Sequence, residues 1–288
     1  MAEEIKSTRR NSAGLMRDLE VLEVLASPEA LGNHGLGVTR VAEMTERDKG
    51  QISRTLATLA DAGFVQRERG SSKYQLGYQL YALASRTTEA RLVEESGRFL
   101  RKVVNLTHET THLCVLRGGN VLTLKSEMSN HAFRGVGWEG VSVAALRTSS
   151  GRALLSDWNE AEVREWYAEH ARDSLVIAPE VGRLFGQQSS FPSIDSVSTR
   201  AKINNLEELL VELAHIREQG YATVDEEFEL GLVGASAPIR DHSNRVIGVI
   251  NVSAPKTRIA SQLDQVGEIV TRVGNELSKH LGATALAL

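Results

Sequence analysis

The chain has 288 residues, 41% of them apolar and 24% charged, and its formal net charge is −4 at pH 7. Its length allows one small and one medium globular domain, and its acidic balance argues against a protein that coats nucleic acid. No apolar run approaches the roughly 18 residues of a membrane-spanning helix and no signal-peptide pattern opens the chain, so we expect a cytoplasmic protein. The single cysteine, Cys114, excludes an intrachain disulfide and a zinc site made of cysteines.

The first 25 residues divide into a polar part and an amphipathic part. Residues 1–13 are polar and charged, which predicts a disordered arm. Its Arg9 and Arg10 either contact DNA phosphates or are simply solvated, and both interpretations stay open. The segment that follows predicts the first helix of a small domain, because apolar side chains recur on one side of it. Those side chains are Leu15, Leu19, Val21, Leu22 and Leu25.

The segment from Leu36 to Thr45 predicts a second helix, since Val38, Val41 and Met44 recur at helical spacing. Thr39 is available as its cap. A short polar turn comes next and leads into a further helical pattern. Helix, short turn and a polar-faced helix form the helix-turn-helix arrangement.

The segment from Asp48 to Gly63 predicts a helix of about four turns that ends at its glycine. Ile52, Leu56 and Leu59 fall on one apolar stripe, which predicts the buried face. The opposite side is small, polar and exposed, as a helix that lies in the DNA major groove requires. The alternative is a solvated helix in some other small domain.

Alternating apolar and polar residues from Phe64 to Arg69 and from Lys73 to Leu76 flank a Gly-Ser-Ser turn and predict a β-hairpin. A hairpin directly after the groove helix favours a winged helix-turn-helix over an unrelated α/β fragment. Gln51, Ser53 and Arg54 would contact base edges, and basic residues would hold phosphates. The predicted DNA-binding residues are Thr39, Lys49, Gln51, Ser53, Arg54, Thr58, Arg67, Arg69 and Lys73.

The rest of the chain predicts an α+β domain. The stretch from Gln79 to Thr107 predicts a long linker helix that packs either against a partner copy or on its own domain. From Thr110 onward, strands joined by hairpin turns and flanked by helices predict an antiparallel sheet with helices around it. The predicted boundaries are 14–78 for the winged domain, 79–108 for the linker helix and 109–288 for the second domain.

Three local signals refine this second domain. Asn159 with Glu162 predicts a capping box at the start of a helix. A strong helical pattern that begins near Leu206 ends at Gly220. Residues 173–198 have weak periodicity, so they form either an insertion or a mobile segment.

Two short strings resemble catalytic motifs. The string from His108 to His112 matches H-E-x-x-H, which needs both histidines on one helical face, but its two threonines place the second histidine in a strand. The string from Ser253 to Lys256 matches S-x-x-K, but its proline disfavours the helical turn that such a pair needs. We predict no enzyme, no metal and no cofactor. The alternatives are a hydrolase that uses zinc at both histidines or Ser253, and a sensor module that no longer binds DNA.

The segment Thr148 to Gly151 is the clearest candidate for a ligand site. It comes just before the predicted helix that starts at Arg152, and its small residues leave backbone N–H groups open to a carboxylate or phosphate. The alternative is simple N-capping of the helix by Ser149 or Ser150.

The chain resembles the IclR family of bacterial transcriptional regulators along nearly its whole length. The resemblance lies in QISRTLATLADAGFV, YQLGYQLYALA and TSSGRALL, and most specifically in GYATVDEEFELGLVGASAPIRD followed by VIGVINVSAP. It implies a GAF-like effector domain, a homodimer formed through the N-terminal half, and often a tetramer. Two-fold symmetry then predicts a palindromic operator.

The resemblance also implies a pocket for a small, often acidic metabolite between the TSSG-like loop and the later strands. The residues at the matching positions are Ser149, Ser150, Gly151, Val224, Gly234, Asn251 and Ser253. The family usually has Asp at the position of Val224 and often Cys at that of Gly234, so this pocket should be less polar and roomier. We therefore predict a ligand-responsive repressor of a catabolic operon that senses an aromatic or otherwise bulkier molecule, such as a carboxylate. The segment of residues 173–198 is longer than the corresponding segment usually is in the family.

Overall fold

The structure is a computed structural model that describes residues 2–132, 134, 138–171, 176–177 and 201–284. Side chains are described from residue 14 onward, except those of residues 176–177. The predicted insertion at 173–198 therefore lies outside the described residues, apart from the backbone of 176–177. The chain divides into two compact units, of which the first ends at Ala90 and the second begins at Arg91. Across the described residues, no helix is both long and apolar enough to cross a membrane.

The N-terminal unit is a winged helix-turn-helix. Its elements are α1 (Ala2–Leu25), α2 (Pro28–Gly32), β1 (Leu36–Gly37), α3 (Val38–Met44), α4 (Lys49–Asp61), β2 (Val65–Arg67), β3 (Lys73–Leu76) and α5 (Tyr78–Ala84). The three short strands pair antiparallel in the order β1-β3-β2. One apolar core joins α1, α3, α4 and the hairpin, with Val21, Val41, Ile52 and Leu56 fully buried.

The start of the chain differs from the prediction. Helix α1 begins at Ala2, so the prediction of a disordered arm over residues 1–13 is wrong. The physical reason is local: this stretch contains no Pro or Gly and is rich in Ala, Glu, Lys and Arg, which favour a helix. Fewer apolar side chains of α1 are buried than predicted. Val21, Val24 and Leu25 are buried, whereas Leu15 and Leu19 are exposed, because the core contacts only the last turns of this helix.

Two further predictions in this half need correction. Thr39 does not cap α3, because β1 pairs with Lys73 and Tyr74 and leads directly into the helix, which leaves Gly37 at the N-cap. The linker is two helices rather than one: α5 ends at Ala84 and α6 begins at Thr88. The break has a local cause, since the hydroxyl of Thr87 accepts the backbone N–H of Ala90 and so starts a new helix.

The C-terminal unit is an α+β domain around one antiparallel sheet, as predicted. Its elements are α6 (Thr88–Thr107), β4 (Thr111–Arg117), β5 (Asn120–Glu127), β6 (Ser142–Ala144), α7 (Ser149–Leu154), α8 (Glu160–His170), β7 (Val176–Ile177), α9 (Leu206–Gln219), β8 (Ala222–Asp225), β9 (Leu232–Arg240), β10 (Val246–Pro255), α10 (Lys256–Ile259) and α11 (Leu263–His280). The seven described strands run in the order β7-β6-β5-β4-β10-β9-β8. The capping box at Asn159 and Glu162 and the helix end at Gly220 are both confirmed.

Side-chain alternation on the central strands divides this core into two layers. Leu113 and Ile250 face α6 and α11 on one side of the sheet. Cys114 and Val249, one residue along each strand, face α7, α8 and α9 on the other side. A cavity in this unit lies beside α7, on the same side of the sheet as the second layer.

Candidate functional site

Helix α4 presents one polar face to solvent. The Asp48 carboxylate accepts the backbone N–H of Gln51 at 3.0 Å and fixes the start of the helix. Ile52 and Leu56 point into the core, and Leu59 is half-buried. The predicted groove residues Lys49, Gln51, Ser53, Arg54 and Thr58 are all exposed to solvent.

An ion-pair network behind α4 holds it against α1. The Asp18 carboxylate accepts the hydroxyl of Thr55 and a guanidinium N–H of Arg47, both at 3.1 Å. Arg47 also donates to the carbonyl of Arg17 at 2.7 Å. This network could not be predicted from the sequence, because nothing in the local pattern connects Asp18 with Arg47 and Thr55.

The wing brings together only part of the predicted phosphate-binding set. Arg67 and Arg69 are exposed, and the guanidinium of Arg67 lies 5.9 Å from the ring centroid of Tyr74. Lys73 is turned away: its ammonium donates to the carbonyl of Asn33 at 2.7 Å. Thr39 is exposed near the start of α3.

The cations of this unit differ in how far acidic neighbours neutralise them. Arg40 contacts Glu29 at 2.8 Å and Glu43 at 3.1 Å, so its charge is compensated. Lys49, Arg54 and Arg69 have no ion pair within 4.0 Å among the residues whose side chains are described. These three cations therefore remain available for an anionic partner.

A cavity in the C-terminal unit lies between the sheet, α7 and the connection from β8 to β9. It is lined by His112, Cys114, Val121, Thr123, Trp138, Val143, Thr148, Ser149, Ser150, Val224, Phe228, Leu232, Val233, Gly234, Asn251 and Ser253. Its volume is about 80 Å³. Because one water needs about 10–15 Å³ of cavity, this space corresponds to several waters.

Six of the seven predicted effector residues line this cavity. They are Ser149, Ser150, Val224, Gly234, Asn251 and Ser253. Gly151 does not line it, because it packs against the turn before α7, where an added Cβ would lie 2.1 Å from the carbonyl oxygen of Ala145. A glycine is needed at this position because only a residue without a side chain allows the two backbone segments to approach so closely.

The start of α7 corrects the predicted TSSG loop. The helix begins at Ser149 rather than Arg152, and its cap is Thr148, whose hydroxyl accepts the backbone N–H of Gly151 at 3.0 Å. Neither Ser149 nor Ser150 acts as the cap. Their hydroxyls point to β9 and contact the hydroxyl of Ser236 at 2.9 Å and 3.1 Å.

The buried serine–asparagine cluster at this end of the cavity consists of Ser149, Ser150, Ser236 and Asn251. The register of β9 and β10 pairs Ser236 directly with Asn251. The amide nitrogen of Asn251 donates to Ser236 at 2.9 Å and to Ser149 at 3.3 Å. Ser236 was not among the predicted residues, and it does not itself line the cavity.

Two buried titratable side chains on β4 also line the cavity. Nδ1 of His112 lies 2.9 Å from the hydroxyl of Ser126, and burial lowers the pKa of His112 to about 4. Burial likewise raises the pKa of the Cys114 thiol to about 11. His112 lies in a strand as predicted, while His108 is exposed between α6 and β4 with a φ of 59°.

The apolar wall of the cavity was not predicted. The indole of Trp138 meets the ring of Phe228 edge to face, with their centroids 6.4 Å apart. Phe228 lies within the GYATVDEEFELGLVG block, so its position in that block was a usable signal. No local pattern could have paired Trp138 with a residue ninety positions later.

Comparison with known proteins gives matches along most of the chain. Residues 14–69 match the IclR helix-turn-helix domain, and residues 84–177 and 194–279 match the bacterial transcriptional regulator IclR C-terminal domain. The transcriptional regulator KdgR of Escherichia coli is 26% identical, over 91% of this chain and 92% of its own. The Pca regulon regulatory protein of Pseudomonas putida is 24% identical, over 80% of this chain and 72% of its own.

Solved structures share the fold. An IclR homolog from Microbacterium hydrocarbonoxydans, complexed with 4-hydroxybenzoate, is 19% identical with a TM-score of 0.70, covering 94% of this chain and 99% of that chain. The IclR of Thermotoga maritima is 22% identical with a TM-score of 0.64, covering 93% and 98%.

Proposed function

The chain belongs to the IclR family of bacterial transcriptional regulators, and from this premise we propose that it represses a catabolic operon from a palindromic operator under control of a small molecule. The observation that carries the proposal is the pairing of two sites in one chain. One is the exposed polar face of α4 with uncompensated cations beside it, and the other is a mostly apolar cavity in the C-terminal unit.

Helix α4 enters the major groove in this proposal. Arg54, Gln51 and Ser53 contact base edges, and Arg54 is suited to a bidentate contact with guanine. Lys49 and the wing residue Arg69 hold phosphates, as does Arg67. Thr39 and Thr58 are auxiliary contacts, and Lys73 must give up its bond to the carbonyl of Asn33 before it can reach DNA.

A single winged unit offers few free cations, so affinity depends on a second copy. A homodimer would place two α4 helices on the two halves of a palindrome and double the number of phosphate contacts. A tetramer could bridge two such sites. A ligand that fits one assembly better than another would then shift DNA affinity by that difference.

The effector is a single-ring compound, aromatic or similarly bulky. Support comes from Val224 and Gly234, which leave the cavity apolar and open, and from the aromatic pair Trp138 and Phe228. One protein of the same fold, the IclR homolog from Microbacterium hydrocarbonoxydans, was crystallised with a compound of this class, 4-hydroxybenzoate. An acid group on the ring is compatible with the proposal.

A band-shift assay with the region upstream of the protein's own gene tests DNA binding. Arg54→Ala should weaken the complex by about 1–3 kcal/mol, because it removes a guanine contact. Arg164→Ala is the matched control, since it removes an exposed arginine from α8 in the C-terminal unit. Equal affinity of the wild type and Arg54→Ala, on a fragment that both shift, would contradict the placement of α4 in the groove.

A further inference from the structure

We propose that His112 and Ser253 bind a hydroxyl group of the effector at the wall between the cavity beside α7 and a second, outer cavity. His112 was not among the predicted effector residues. The inference rests on the proposed function, because it concerns the same ligand. It adds a residue that determines specificity and the chemical group that this residue selects.

The outer cavity adjoins the cavity beside α7 and has a volume of about 340 Å³. Both cavities are lined by His112, Trp138, Leu232 and Ser253, which form the wall between them, whereas α7 lines only the inner cavity. A cavity of about 150 Å³ holds benzene, so the inner cavity, at about 80 Å³, is too small for a whole ring. A single-ring effector must therefore extend past the shared wall, where it meets His112 and Ser253.

One ring nitrogen of His112 has a hydrogen-bond partner and the other has none among the described residues. Nδ1 lies 2.9 Å from the hydroxyl of Ser126, whereas Nε2 forms no hydrogen bond with a described residue. Only 6% of His112 is exposed, and its side chain lines both cavities. Nε2 is not one of the fully enclosed side-chain atoms that lack a partner, so it faces open space. A buried polar atom of this kind takes its hydrogen bond from whatever fills the cavity.

Ser253 adds a second polar atom without a partner to the shared wall. Its backbone N–H donates to the carbonyl of Thr110 at 3.5 Å, while its hydroxyl has no hydrogen-bond partner among the described residues. The strand register pairs His112 with Asn251, and Ser253 lies two residues farther along the same face of β10. Diagonal neighbours of this kind lie about 7–8 Å apart, so a single ligand group between them can contact both.

A hydroxyl group fits these two atoms because it donates one hydrogen bond and accepts another. Burial lowers the pKa of His112 to about 4, so its imidazole is neutral near pH 7 and has one donor and one acceptor nitrogen. The hydroxyl of Ser126 can donate to Nδ1 or accept from it, which makes Nε2 a donor or an acceptor, respectively. The Ser253 hydroxyl has the same freedom, so a ligand hydroxyl can donate to one of the two residues and accept from the other.

The charges around the shared wall favour an uncharged group there. Arg134 and Arg258 line the outer cavity, but Glu229 lines it too, and the Glu109 carboxylate engages the Arg258 guanidinium at 2.6 Å. The described lining therefore has no net positive charge to replace the hydration of a buried anion. The acid group of a hydroxy acid would lie instead toward α7, where the backbone N–H groups of the first two helical residues have no acceptor among the described residues.

Calorimetric titrations of the full-length protein test this preference. The ligands are benzoate, the 3- and 4-hydroxybenzoates and the 3- and 4-methylbenzoates, which share the acid group and differ at one ring position. The methyl group matches the hydroxyl in size but forms no hydrogen bond. We expect the better hydroxybenzoate to bind about tenfold more tightly than benzoate and than the methylbenzoate substituted at the same position. Equal or tighter binding of benzoate or of that methylbenzoate overturns the inference, and so does the absence of binding by every one of these ligands.

Two substitutions at His112 attribute the preference to its imidazole. His112→Phe keeps a planar ring but removes both nitrogens, so the ratio of hydroxybenzoate affinity to benzoate affinity should fall from about ten to about one. His112→Gln should recover part of the ratio, because an amide also donates and accepts. His215→Phe is the matched control, since it makes the same change at an exposed position of α9 that lines neither cavity. A wild-type ratio in His112→Phe overturns the inference.

A measurement on the unmodified protein keeps the inference testable if His112→Phe does not fold. In nitrogen-15 NMR of histidine-labelled protein, the Nε2 resonance of His112 should move when the hydroxybenzoate binds and move much less with the matching methylbenzoate. Equal shifts with the two ligands contradict a hydrogen bond from the ligand to His112.

Failure of this inference is distinguishable from failure of the proposed function, because band shifts on the operator are measured without ligand. Intact specific DNA binding together with equal affinities for hydroxybenzoate and methylbenzoate would overturn only the role of His112 and Ser253. Loss of specific DNA binding in the wild type would overturn the regulator proposal and leave the ligand preferences standing.

Discussion

The buried pair of Arg152 and Glu227 should be the most sensitive electrostatic contact in the C-terminal unit. Arg152 is 0% exposed and Glu227 is 3% exposed. The guanidinium donates to both carboxylate oxygens, at 3.0 Å and 2.5 Å. The pair joins α7, which carries the cavity serines, to the segment that carries the Phe228 wall.

Removing either partner leaves a buried charge, which costs about 3–5 kcal/mol in general. The two single changes should not be equal. In Glu227→Ala, the Glu212 carboxylate, 3.9 Å from the guanidinium, still compensates part of the charge, so we expect about 3 kcal/mol. In Arg152→Met, the Glu227 carboxylate keeps only the backbone N–H of Lys202 among its described partners, so we expect about 5 kcal/mol.

Urea unfolding of the full chain measures this difference. All three tryptophans, at positions 138, 158 and 166, belong to the C-terminal unit, so their fluorescence reports on this unit. Replacing both partners with apolar residues of similar volume should recover most of the loss, since no uncompensated charge remains. A loss below about 1 kcal/mol in both single variants, or a double variant no better than Arg152→Met, would refute the reasoning.

Three further predictions concern the buried groups around the cavity. Because the pKa of His112 is lowered to about 4 in the folded chain but is about 6.5 when unfolded, the unfolded chain binds the extra proton between these values. The free energy of unfolding should therefore fall by about 3 kcal/mol as the pH drops through this window. Urea titrations at several pH values should show that His112→Gln lacks this part of the pH dependence of the wild type. The Cys114 thiol, with its pKa near 11, should react with iodoacetamide at pH 8 about 100-fold more slowly in the folded chain than in urea, and comparable rates would contradict its burial. Gly151→Ala should abolish ligand binding or folding, because its Cβ would meet the Ala145 backbone at 2.1 Å, whereas wild-type melting and titration curves would argue against this packing.

Local signals predicted most of the elements, because they act within a turn or two of the chain. Asp48 and Gly63 bracket α4 through a side-chain cap and a left-handed φ of 77°. Gly220 ends α9 in the same left-handed region. The prediction of a single linker helix was wrong because a local competitor, the Thr87 cap, divides the linker into two helices.

The cavity was predicted only in part, as its polar residues and its aromatic wall show. Ser149 and Asn251 were found because they occupy positions in stretches that resemble the IclR family. Ser236 was missed, since its role comes from facing Asn251 across two strands. Trp138 and Phe228 meet only because the folded sheet brings distant loops together.

The sequence alone therefore determined the order of elements, the polar face of α4 and the family, since periodicity, caps and motif spacing are written in neighbouring residues. Tertiary structure decided which charges remain free. It pairs Arg40 with Glu29 and turns Lys73 toward the carbonyl of Asn33. Arg54 has no ion pair among the described residues, so it is available to an outside partner. Tertiary structure also decided the partners of the buried cavity hydroxyls, because strand register places Ser236 opposite Asn251 and within reach of Ser149 and Ser150.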